Sequence, residues 1–219
     1  MGNVNMPDRN TLESPLETAD RSVLSVGDGR PAGVVFEERK FHGYFNIRLD
    51  PQDNAALSAV QTAVGVALPL VPNTVSSSRT NSVFWLGPDE WLVVCDPDQH
   101  AAMGAGLSSA LEELHSAVND TSGGQTLIRL SGARALDTLS KGCTLDLHPR
   151  AFAPGMCAQT RIAKTAAVIR PCTSNQPCFD IIVRRSFADY LWHWLRNAAS
   201  EYGVRVAALP SSDRAAPAA

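Results

Sequence analysis

The feature that most constrains this chain is a change of hydrophobic period between residues 43 and 64. Gly43-Tyr-Phe-Asn-Ile-Arg-Leu49 sets Tyr44, Asn46 and Arg48 against Phe45, Ile47 and Leu49, the period of two that belongs to a half-buried strand. Asp50-Pro51 punctuates it. From Asp53 onward Leu57, Val60 and Val64 recur at helical spacing, with Asp53 as N-cap and Pro69 as the stop. A strand that runs straight into an amphipathic helix points to a mixed α and β chain.

The rest of the first half extends that plan. Ser82-Val-Phe-Trp-Leu86 and Trp91-Leu-Val-Val-Cys95 are strand-like runs joined by Gly87-Pro-Asp-Glu90, whose Pro and Asp favour a tight hairpin turn. Met103, Leu107, Ala110, Leu111 and Leu114 keep one apolar helical face, and Ala117-Val118 closes a further strand. Strand, helix, strand, strand, helix, strand is the split βαβ, or ferredoxin-like, order.

The second half repeats the order without residue-level similarity to the first. Gln125 to Leu130 reads as a strand, Ser131 as cap of a helix carrying Ala135, Leu136 and Leu139, and Gly142 as its end. Arg161 to Arg170 and Cys178 to Val183 read as two strands around the loop from Pro171 to Pro177. The clearest helix starts at Ser186 as N-cap, carries Asp189 in its first turn and ends at Gly203. Its stripe is Phe187, Leu191, Trp194, Leu195, Ala198 and Tyr202. Trp192 lies about 60° beyond the edge of that stripe, so it is the residue expected at a contact with a partner or a second subdomain.

The expected fold is therefore α+β, two tandem split βαβ halves. Residues 1–30 form a mobile N-terminal tail, 31–118 the first half, 119–208 the second, and 209–219 an Ala/Pro tail.

Composition narrows function. Of 219 residues, 19 are Lys or Arg and 22 Asp or Glu, a net charge of −3, without the clustered basic excess of a nucleic-acid binder. The longest apolar run, Val64 to Val71, is broken by Pro69 and far short of the roughly 20 residues that cross a bilayer. Asp8, Glu13, Glu17 and Asp20 interrupt any signal-peptide core, so the expected compartment is the cytoplasm. Five cysteines with no C-x-x-C pair give neither a disulfide framework nor a structural zinc site.

No catalytic set assembles along the chain. Gly27-Asp-Gly29-Arg-Pro-Ala32 matches G-x-G-x-x-A, but Pro31 sits inside it and no amphipathic helix follows to present its amides to a pyrophosphate. There is no G-x-S-x-G elbow, and His42, His100, His115, His148 and His193 form no metal-binding pair at helical spacing. Asp89 with Glu90 and Glu112 with Glu113 read as solvated faces. Asp120, just before the strand at Gln125, is the one acid kept as a candidate. The expected catalytic, cofactor-binding and metal residues on this chain are none.

Leu86-Gly-Pro-Asp-Glu-Trp-Leu-Val-Val94, Arg185-Ser-Phe-Ala-Asp-Tyr-Leu-Trp-His-Trp-Leu195 and Glu201-Tyr-Gly203 resemble the gamma subunits of heterotetrameric sarcosine oxidase. Leu130-Ser-Gly132, Lys141-Gly-Cys-Thr-Leu-Asp-Leu-His-Pro149, Cys157-Ala-Gln-Thr160 and Ala163-Lys164 fit the same family in the same order. The resemblance covers roughly residues 40 to 205 and implies a fold related to the folate-binding domain of the glycine-cleavage T-protein. There Asp120-Thr-Ser122, a strand, then Leu130-Ser-Gly132 and a short helix is a recurrent segment. Lys141-Gly-Cys143 also resembles a motif of the iron–sulfur-assembly folate proteins, but Thr144-Leu-Asp-Leu-His-Pro149 follows and that branch does not fit.

For the assembly, the resemblance implies oxidative demethylation of sarcosine to glycine, reduction of oxygen to hydrogen peroxide and transfer of the one-carbon unit to tetrahydrofolate. It places FAD, covalent FMN, NAD and folate on the alpha and beta subunits and zinc on the delta subunit. This chain is then expected to be a non-catalytic structural subunit. Two other readings stay open: a free-standing folate-binding aminomethyltransferase with Asp120 as its acid, and a transient assembly factor.

Overall fold

Strand β1 (Val34–Arg39) is followed by β2 (Gly43–Leu49) and α1 (Asn54–Val64), the last two where the change of period places them. The computed structural model describes residues 13–19, 22 and 31–207. Asp53 caps α1: one carboxylate oxygen accepts the backbone N–H groups of Ala55 at 2.9 Å and Ala56 at 3.1 Å. Gly65, at φ 74°, ends the helix in the left-handed region before Pro69 is reached.

Then come β3 (Val75–Ser77), β4 (Asn81–Gly87), β5 (Glu90–Cys95), α2 (His100–Ala110) and β6 (Ser116–Asp120). The hairpin β4–β5 pairs Trp85 with Trp91, and the buried Trp91 indole donates to the Pro69 carbonyl at 2.8 Å. The chain continues through β7 (Gln125–Ser131), α3 (Ala135–Ser140), β8 (Ala158–Ile162), β9 (Thr165–Pro171), β10 (Cys178–Arg184), α4 (Arg185–Ala198) and β11 (Val204–Val206).

Two sheets result, ordered β11-β1-β7-β10-β9-β8 and β3-β4-β5-β2-β6. Strand alternation sends one face of each to a helical layer and the other to the opposite sheet. Phe45, Ile47, Val83, Trp91 and Val93 pack with Val60 and Val64 of α1 and Met103 and Leu107 of α2. Phe36, Ile128, Leu130, Phe179 and Ile181 pack with Leu139 of α3 and with Leu191, Trp192 and Leu195 of α4. Between the sheets lie Tyr44, Phe84, Leu92, Val94, Leu127, Cys157 and Ile182. That third layer explains why Tyr44, on the polar side of the β2 alternation, is buried while Arg48 at the far end is exposed.

Several expectations are corrected. Strand β1, placed with the first half, pairs antiparallel with β7 and parallel with β11 in the sheet of the second half. The run from Arg161 to Arg170 is two strands, because Ala163 turns the chain at φ 53°. Ser131 closes β7 rather than capping α3. Gly132, at φ 116°, makes that bend, and a Cβ there would sit 2.4 Å from the Gly33 carbonyl oxygen. Helix α4 begins at Arg185, one residue ahead of the expected Ser186 cap, and ends at Ala198; a 3-10 turn, Ser200–Tyr202, leads to Gly203.

Trp192 is 1% exposed, its ring 5.3 Å from that of Phe36, so it is a core residue and not a contact for a partner. The buried arc of α4 also takes in Ala188, Arg196 and Ala199, which turns it by about 60° from the stripe read in the sequence. Phe187, read as core, is exposed instead.

Residues 13–19, expected to be mobile, pack on the fold. Leu16 is 0% exposed in the core beneath α4, and the Ser14 hydroxyl donates to the Glu38 carboxylate. Arg196 donates to the Ser22 carbonyl and hydroxyl, each at 2.6 Å. Residues 1–12, 20, 21 and 23–30 of the expected N-terminal tail, Gly27 and Gly29 among them, and the 209–219 tail lie outside the described residues.

Candidate functional site

Asp120 ends β6 and is held by two neighbours. Its Oδ2 lies 2.8 Å from His100 Nε2 at the start of α2, and its Oδ1 accepts the Ser122 backbone N–H at 2.9 Å together with the Ser122 hydroxyl. Ser122 Oγ in turn accepts the Tyr44 N–H at 2.9 Å, and the His100 ring stacks on Phe45 at 5.3 Å. Partial burial pushes the Asp120 pKa up, but the Ser122 hydrogen bonds, followed by His100, outweigh it and hold the carboxyl below its usual range. The hydroxyl donates to the carboxylate rather than to the imidazole, so the three groups are not a nucleophile–base relay. They tie β6, α2 and the turn before β7.

A second cluster, not foreseen from the sequence, lies between the sheets. Asp180 of β10 is 1% exposed and faces Arg129 of β7 and Arg170 of β9, its partners directly across the two neighbouring strands. Arg129 donates Nε and Nη2 to the carboxylate at 2.7 and 3.0 Å, and Arg170 donates Nε and Nη2 at 3.1 and 2.9 Å. Burial opposes ionisation of Asp180, but Arg129 and then Arg170 overcome it and keep its pKa below the usual range. Arg170 Nη1 also reaches Ser77 Oγ at 3.0 Å and Ser82 Oγ at 2.8 Å, joining one sheet to the other. Arg and Asp far apart in sequence give no signal of this; only strand register brings them together.

A cleft of about 460 Å³ opens beside the cluster, lined by Ser77, Arg129, Arg170, Cys172 and Cys178 among others. Among the described residues, no three His, Cys, Asp or Glu side chains converge as a metal site. On the outer side of α4, Phe187 and Tyr190 are 45% and 38% exposed, and they are the aromatic residues this helix presents to solvent.

Relatives carry the same architecture. A "Sarcosine oxidase subunit gamma" of Corynebacterium sp. (strain P-1) is 32% identical over 186 residues, 84% of this chain and 89% of the relative. A solved heterotetrameric sarcosine oxidase from Corynebacterium sp. U-96 contains a chain 29% identical, superposing with a TM-score of 0.77 over 87% of this chain and 96% of that one. Aminomethyltransferase T of the glycine cleavage system from Bartonella henselae shares the fold at 13% identity and a TM-score of 0.59, over 80% of this chain and 48% of that one. Residues 48–201 match the family described as "Sarcosine oxidase, gamma subunit family". With that match spanning most of the chain and both sheets, the protein belongs to the sarcosine oxidase gamma subunit family.

Proposed function

We propose that this chain is a non-catalytic structural subunit of a heterotetrameric sarcosine oxidase, joined to alpha, beta and delta subunits in the cytoplasm. The observation that carries the reading is the superposition on nearly the whole of one chain of a heterotetrameric sarcosine oxidase. The assembly would oxidise sarcosine to glycine, reduce oxygen to hydrogen peroxide and pass the one-carbon unit to tetrahydrofolate. The proposal assigns FAD, covalent FMN, NAD and folate to alpha and beta and zinc to delta, and none of them to this chain. The engagement of Asp120 by Ser122 and His100 supports its being a structural acid rather than a folate contact.

The strand order supports a finer reading of the fold as two split βαβ units, β6-β2-β5-β4 with α1 and α2, and β7-β10-β9 with α3 and α4. In this reading β1 is inserted beside β7, where the second unit's last strand, β11, would otherwise pair.

The test is gentle purification of the tagged chain from its native host, with flavin absorbance and the identities of co-purifying chains read on one sample. Recovery with two flavin-bearing chains and a small zinc-binding chain is expected. A colourless protein that binds folate alone would replace this reading with that of a folate enzyme, with Asp120→Asn as the next variant.

A further inference from the structure

The cleft beside Asp180 holds a feature that a structural subunit does not need. Cys172 and Cys178 flank the loop between β9 and β10, and the register that pairs Phe179 with Pro171 continues to place them directly opposite each other. The Cys172 N–H donates to the Cys178 carbonyl at 2.8 Å. Both side chains fall on the strand face shared with Arg170 and Asp180, and both line the cleft. Opposed residues of an antiparallel pair have Cα atoms about 4.5–5.5 Å apart, inside the span a disulfide bridges.

We propose that Cys172 and Cys178 are an oxidisable dithiol, converted by hydrogen peroxide entering the cleft into a disulfide that closes the β9–β10 loop. The two thiols interact directly: their hydrogen bond, with the Arg129 guanidinium, lowers the Cys178 pKa against burial, whereas the same bond and burial raise that of Cys172 against the pull of Arg129. Cys178 is therefore the attacking thiolate. Its sulfur bonds to one peroxide oxygen, the O–O bond breaks, and hydroxide leaves and takes a proton. The Cys172 sulfur then attacks the resulting sulfenic acid, forming S–S and releasing a second water. Two thiols are oxidised and one peroxide is reduced to two waters.

The other three cysteines are built differently. Cys95 and Cys157 are buried, with burial pushing each thiol up to about 11, and Cys157 is turned onto the Thr74 carbonyl at 3.2 Å. Cys143 is buried with Thr160 Oγ1 at 3.8 Å. They serve as internal controls.

The choice of hydrogen peroxide rests on the proposed function, since the oxidase would generate it; the dithiol geometry does not. The experiment treats the full chain, as purified with whatever accompanies it, with one equivalent of hydrogen peroxide, then maps cysteines by mass spectrometry without reduction. The expected result is loss of two of the five thiols per peroxide, a Cys172–Cys178 crosslink reversed by dithiothreitol, and Cys95, Cys143 and Cys157 still reduced. Cys172→Ser should leave a dimedone-reactive sulfenic acid on Cys178. Unreacted thiols, bonds between chains, or oxidation of the three buried cysteines at the same rate would overturn the proposal. Because the map needs neither flavin nor sarcosine, a chain that purifies alone yet forms the crosslink would refute the subunit reading and leave the dithiol standing.

Discussion

Replacing Asp180 with alanine tests whether the inter-sheet cluster holds the two layers together. The carboxylate is 1% exposed and accepts four hydrogen bonds from two guanidinium groups. Its removal leaves two adjacent positive charges without a counter-ion, and breaking a buried ion pair by removing one partner costs about 3–5 kcal/mol. The Arg129 and Arg170 side chains remain 25% and 20% exposed, so water relieves part of the repulsion and the lower end, about 3 kcal/mol, is expected. At roughly 2–4 °C per kcal/mol for a chain of this size, the midpoint should fall by about 6–12 °C at pH 7, read by circular dichroism.

The pH dependence follows from the depressed pKa of Asp180 in the folded state. The unfolded chain binds the proton more readily, so the stabilisation is full above the ordinary carboxylate pKa of about 4 and is lost as the pH falls through the lower folded value. The stability difference between wild type and Asp180→Asn should therefore narrow below about pH 4. A midpoint for Asp180→Ala within about 2 °C of wild type at pH 7, or a difference that widens in acid, would refute the reasoning.

Three further substitutions test the packing. Leu16→Ala should cost about 2–5 kcal/mol in urea unfolding, since Leu16 is 0% exposed; no change would mean that residues 13–19 do not dock. Trp192→Ala should cost about 3–5 kcal/mol by the same assay through loss of the Phe36 contact, whereas a fully stable variant that only failed to co-purify with partners would restore Trp192 to a surface. Asp53→Ala should cost about 1 kcal/mol by removing the two N-cap hydrogen bonds to Ala55 and Ala56, and unchanged stability would show that the cap contributes nothing.

Elements whose signal is local were legible in the sequence. The alternation of β2, the Asp53 cap and the β4–β5 hairpin each depend on neighbours within a few residues, and each appears as read. What escaped was set by distant pairing. Val34–Arg39 carries nothing that assigns it to β7 rather than to its neighbour β2, and three-residue strands such as β3 and β11 are too short to show a period. Trp192 was misplaced because the helical stripe was drawn to include Phe187 and Trp194 at one edge, while the surface Trp192 packs on, Phe36 of β1, lies on a segment far away in sequence. The Arg129–Asp180–Arg170 cluster and the opposed cysteines share that cause: both exist only in the register of β7, β10 and β9.

The most direct test of the subunit reading is native mass spectrometry of the complex purified through this chain, with sarcosine-dependent peroxide release measured on the same preparation and on the chain dissociated from it. The account predicts one copy of this chain with three different partners, activity in the intact assembly and none in the separated chain. A solitary chain, or one that oxidises sarcosine unaided, would contradict it.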